Sequence, residues 1–106
     1  TARFLQDTRM EALHYETVAA GQTDQVLGAT GAVGDFLERL IITVATAATA
    51  AVSIKDGSGS AIPIMPNNPD GGIGVYVVEL NMVSAAGAWS VTTGAGSTVV
   101  AVGNFT

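Results

Sequence analysis

The chain has 106 residues, no cysteine, and four Lys+Arg against nine Asp+Glu, giving a net charge of −5. The length suits one domain with a modest core, and the missing thiols exclude a disulfide scaffold, a thiolate metal centre and a cysteine nucleophile. So few cations form no clustered basic face, and no apolar run approaches the ~20 residues that span a bilayer, so neither nucleic acid nor membrane is an expected partner.

Taken from the start, residues 3–16 fit either an amphipathic helix with Leu5, Arg9 and Leu13 along one side or an extended arm. Residues 1–12 are read as an arm leading into a domain over residues 13–106, and residues 13–18 serve as a strand where the arm rejoins a sheet. Glycine-punctuated turns at residues 21–24 and 28–35 then separate arm from domain.

From Phe36 onward the pattern has the period of two that marks β-structure. Residues 36–44 place Leu40, Ile42 and Val44 on one face, with Ile41 and Thr43 on the other. In residues 51–55, Val52 and Ile54 point inward while Ser53 and Lys55 point outward. Asp56-Gly57-Ser58-Gly59 follows, and an Asp-Gly pair between alternating strands is a strong hairpin signal. The return strand covers residues 60–65, where Pro63 has no N–H for a ladder and so belongs at an edge or a bulge. Residues 66–72 read as a loop. A long strand follows at 74–82, with Tyr76, Val78 and Leu80 on one face and Val75, Val77 and Glu79 on the other. Two more strands, 88–93 and 97–102, are divided by Gly94-Ala95-Gly96. No helix fits after residue 40. The expected fold is all-β: an antiparallel β-sandwich or jelly roll with an extended N-terminal arm.

Charge is unevenly spread along this pattern. Charged residues form 12% of the chain, about half the share in an ordinary soluble domain. Beyond residue 39 only Lys55, Asp56, Asp70 and Glu79 carry charge. The mean hydropathy of +0.43 opposes disorder. A surface so poor in charge is expected to be covered by other chains, and the competing reading is a Thr/Ser/Ala-coated sheet face that is soluble without charges.

Catalytic and metal-binding patterns are weak. His14 is the single imidazole, a poor basis for a zinc site and the only available base for a serine, and no Gly-x-Ser-x-Gly elbow occurs. Asp56-Gly57-Ser58-Gly59-Ser60 supplies one carboxylate and two hydroxyls, short of the oxygens calcium takes, and turn chemistry accounts for it. No enzyme and no cofactor emerge. Trp89, the single indole, reads first as a core residue. A glycan-binding alternative would have it exposed beside Asn67, Asn68 and Asp70.

Residues 34–42, the run 52–62, residues 87–94 and the close 99–105 together resemble small tailed-bacteriophage structural proteins of the jelly-roll type, over about residues 13–106. The resemblance implies a virion component on the capsid exterior, made in the bacterial host cytoplasm. Its implied role is a head-decoration, or cement, protein that clamps the major capsid protein shell as a homo-oligomer, commonly a trimer. It supplies no functional residues of its own. Arg3, Phe4, Leu5, Arg9 and Met10 are the expected contacts of the arm with capsid or neighbouring subunits. A head- or tail-fibre or spike domain that binds host glycans is the alternative.

Overall fold

The structure, a computed structural model, describes residues 13–46, 51–67 and 72–106. The expected arm over residues 1–12, with Arg3, Phe4, Leu5, Arg9 and Met10, lies outside the described residues. So do Asn68 and Asp70.

The described residues form eight strands: β1 (His14–Val18), β2 (Gln25–Val26), β3 (Phe36–Val44), β4 (Val52–Asp56), β5 (Ile62–Met65), β6 (Gly74–Val83), β7 (Trp89–Thr92) and β8 (Ser97–Asn104). No helix occurs among the described residues. The strands form two four-stranded sheets in the orders β1-β8-β3-β6 and β2-β7-β4-β5, and every pairing is antiparallel. The pairings nest. β1 lies beside β8, β2 beside β7, β3 beside β6 and β4 beside β5, as though one long hairpin had been rolled into a sandwich. That is the jelly-roll arrangement.

Alternation decides which residues enter the core. Leu37, Leu40, Ile42 and Val44 from β3, with Val18, Val99 and Ala101, are buried from one sheet; Val52, Ile54, Trp89 and Val91 meet them from the other, and Leu27 joins just past β2. Leu37 and Leu40 are three residues apart, yet both are fully buried, which a strict period of two forbids. The register shift between Leu37 and Arg39 resolves this: relative to β8 the extra residue lies in β3, while relative to β6 it is β6 that carries one more, beside Asn81 at φ 51°. Opposite the shift, Gly103 pairs with Leu37, and a Cβ there would strike the Phe36 carbonyl oxygen and the Phe105 ring. The bulge and the glycine therefore require each other.

The hairpin between β4 and β5 forms where Asp-Gly signalled it. Gly57 takes φ 60° at the first central position, and the Gly59 N–H donates to the Asp56 carbonyl at 3.0 Å. Pro63 sits on β5, an edge strand, where its missing N–H costs nothing in the ladder.

A second lock closes one end of the sandwich. Asp35 is buried, and its carboxylate accepts the Ala32 N–H (3.0 Å), the Thr106 N–H (3.1 Å) and the Thr106 hydroxyl. Its carbonyl accepts the Trp89 indole N–H and the Ser84 N–H, both at 2.9 Å. Through this one residue the loop after β2, the loop before β7, the start of β7 and the residue at 106 are tied together. Burial acts to raise the Asp35 carboxyl, but the Thr106 hydroxyl and N–H and the Ala32 N–H outweigh it and hold the group below its ordinary value.

Two outcomes are expected. Gly103→Ala should destabilise the fold by about 1–3 kcal/mol, the usual range for overpacking, as read from urea denaturation midpoints. A folded pKa below the unfolded one means that Asp35 stabilises the fold above the ordinary carboxylate range and loses that contribution as pH falls through its folded value, below about pH 4. Thermal melts from neutral to acid pH should therefore show a shallower acid decline for Asp35→Asn than for the wild-type chain, on a lower neutral-pH baseline.

Candidate functional site

The outer face of the β1-β8-β3-β6 sheet is the largest feature that the core does not explain. Register assigns its rows. Thr17, Val100, Ile41 and Val77 lie side by side across the four strands. Thr98, Thr43 and Val75 form a second row, and Tyr15, Val102, Arg39 and Glu79 a third. All of these belong to the set of alternate residues opposite the buried one. Only the third row is charged. Its Arg39 pairs across the ladder with Glu79 and places Nε 3.1 Å from Oε1 of neighbouring Glu38. The remainder is Val, Ile, Thr and Tyr.

Apolar exposure rises toward β6. Val75 and Val77 are 64% and 58% exposed, and Ile73, Tyr76 and Val83 on the same segment are also open to solvent. At the far side of the sheet Tyr15 is 75% exposed. The face assignment in β6 agrees with the alternation of the strand: Val78 and Leu80 pack against the core with Met82, and Tyr76, two residues before Val78, is 38% exposed. Its hydroxyl donates to the Gly72 carbonyl at 2.7 Å and pins the entry to the strand.

The other sheet presents a different exterior. Val26, Ser90 and Lys55 share one row, and Thr92, Ser53 and Pro63 another. A shallow depression there is lined by Asp24, Val26, Lys55, Gly57, Ser58, Ala88 and Ser90. Lys55 Nζ lies 3.3 Å from Asp24 Oδ2, and Asp24 Oδ1 accepts the Thr92 hydroxyl at 3.1 Å. Both charges are thus already partnered.

The residues singled out for chemistry fall into structural roles. Asp56 accepts the N–H groups of Ala85 (2.8 Å), Ala86 (3.0 Å) and Gly87 (3.2 Å), so its oxygens anchor the β6–β7 loop rather than face a cation. The Ala85 and Ala86 donors lead in holding its carboxyl below the ordinary value. No group of three or more His, Asp or Glu that could hold a metal occurs among the described residues. His14 is exposed on β1, opposite Gly103. Trp89 is 2% exposed with its N–H committed to the Asp35 carbonyl, as its reading as a core residue expects, and Asn67 is exposed on the loop after β5; Asn68 and Asp70 lie outside the described residues. A buried indole has no face for a sugar.

Sequence reasoning passed over Glu16. It lies on β1, yet its carboxylate accepts the Gly28 N–H (2.7 Å) and the Gln25 side-chain amide (3.0 Å), bridging from one sheet to the segment around β2 in the other. An acidic residue in a strand facing two glycine-rich turns is the only signal that could have suggested it. No protein-family model and no curated protein sequence matches the chain.

If Asp56 is a loop anchor, Asp56→Ala should lower the melting temperature. Millimolar calcium should leave the wild-type melting curve in place, as differential scanning calorimetry can check.

Proposed function

We propose that this chain is a structural component of a tailed-bacteriophage virion: a head-decoration protein that packs on the major capsid protein and on copies of itself. The observation that carries the reading is the outer face of the β1-β8-β3-β6 sheet, whose two uncharged Val/Ile/Thr rows run into the exposed apolar segment of β6, with Arg39 and Glu79 in the row beside them. Contiguous apolar surface of this kind marks an interaction site rather than ordinary solvent-facing exterior. The resemblance over residues 34–42, 52–62, 87–94 and 99–105 supplies the virion setting. The jelly-roll topology is in keeping with it, although the same topology serves many unrelated functions.

Two modes of contact follow from these features. The two rows of β-branched residues that carry no charge bury area without desolvating charge, which suits a close-packed shell. The arm residues Arg3, Phe4, Leu5, Arg9 and Met10 supply apolar anchors and two cations that can reach across neighbouring capsid subunits. Weak contacts of this sort gain strength when repeated over a lattice. The fibre or spike reading draws no support from Trp89, whose ring is enclosed.

The test is loading onto undecorated heads of the encoding phage, followed by sedimentation and quantitative mass spectrometry. The wild-type chain should co-sediment in hundreds of copies per head, and a chain lacking residues 1–12 should stay in the supernatant while keeping its melting temperature. A chain that ignores the heads, or occupies a single vertex in a few copies, would overturn the decoration role.

A further inference from the structure

We infer that the free edge of β6 is a seam between two copies of this chain, joined antiparallel across a two-fold axis into one continuous sheet. The inference shares with the proposed function only the premise that this face is covered, and it applies in solution with no capsid present.

Among the described residues four strands lie at sheet edges, and three of them are blunted. β2 has two residues, β5 has four and contains Pro63, and β1 has five and carries Glu16 and His14. β6 has ten residues, the longest strand of the described residues, and its sequence Gly-Val-Tyr-Val-Val-Glu-Leu-Asn-Met-Val holds one charge and no proline. Asn81, at φ 51°, marks an irregularity near the far end of β6, but from Gly74 to Glu79 the strand is regular. There alternate backbone N–H and C=O groups point away from β3, as in any edge strand, and an unguarded run of that kind is a template for pairing. Ile73, Val75, Tyr76, Val77 and Val83, five of the nine large exposed hydrophobic side chains among the described residues, lie on this one segment.

A second copy fits this edge better than an unrelated strand, because the edge is complementary to itself in one direction. An antiparallel pair centred on Tyr76 sets Val75 of each copy opposite Val77 of the other and Tyr76 opposite Tyr76. Apolar and aromatic cross-strand pairs of this kind are the favourable ones. In the same register Glu79 faces Ile73 of the other copy, so the two carboxylates stand apart. Parallel in-register pairing would instead stack Glu79 beside Glu79, between chains that each carry a net charge of −5. A two-fold axis also closes the assembly, whereas a head-to-tail edge would polymerise. The ladder of one strand is small for an interface, so pairing is expected in the micromolar range and to depend on concentration.

Sedimentation velocity from low to high micromolar chain, together with cysteine trapping, tests the seam. The wild-type mass should rise from one chain to two. Val75→Lys/Val77→Lys, at positions already open to water, should weaken association at least tenfold without moving the melting temperature. Val26→Lys, on the outer face of the other sheet, should pair like the wild type. The chain has no cysteine of its own, so an oxidised equimolar mixture of Val75→Cys and Val77→Cys chains should yield the mixed disulfide dimer in preference to either homodimer. A wild-type chain that stays single throughout, or lysine variants that associate normally, would overturn the seam. So would a mixed disulfide no more abundant than the homodimers. A trimer indifferent to the lysine pair would overturn the seam and leave head loading intact. Failure to load on heads with the seam present would overturn the decoration role alone.

Discussion

The peptide groups of a strand need partners on both sides, and the nested pairing of this chain meets that need for every long strand except β6. β3 and β8, of nine and eight residues, lie in the interior of their sheet; β6, of ten, lies at its rim. The jelly roll explains why. Rolling one long hairpin buries the last strand between the first and third, and pushes the strand paired with β3 outward. The apolar outer face and the open edge are thus two results of one topology. An isolated molecule would hold both against water, while an assembled one would cover them.

The remainder of the molecule is built to keep that surface in place. The bulge at Leu37/Arg39 lets β3 bury Leu37 and Leu40 together while still presenting Ile41 and Thr43 outward. Gly103 permits the close approach that the bulge demands. Asp35 and Asp56, both held below the ordinary carboxylate pKa, each accept several hydrogen bonds from loops at strand ends. Acidic residues here act as connectors: they satisfy backbone N–H groups that the glycine-rich loops would otherwise leave bare. This accounts for a chain with few charges that nevertheless keeps these.

Much of the fold could be read in advance from alternation and turn chemistry. The strands at 36–44, 52–56 and 74–83 carry clean β-branched patterns, and Asp56-Gly57 named its own hairpin. What escaped notice is short or long-range. β2 is two residues between glycine turns, too brief for any periodicity, yet it positions Leu27 in the core. The Asp35–Trp89–Thr106 cluster joins residues 54 and 71 positions apart, and nothing local in the sequence announces it. The uneven charge in the sequence raised the expectation of a covered surface without placing it, and the register shows which face is poor in charge and which long edge is open.

Hydrogen–deuterium exchange along β6 tests the central claim most directly, comparing dilute chain with chain at high concentration or on particles. If this strand is an interface, the alternate amides that point away from β3 exchange freely when dilute and become protected on assembly, while the amides bonded to β3 change little. Equal exchange of those outward amides in the dispersed and assembled states would contradict the account.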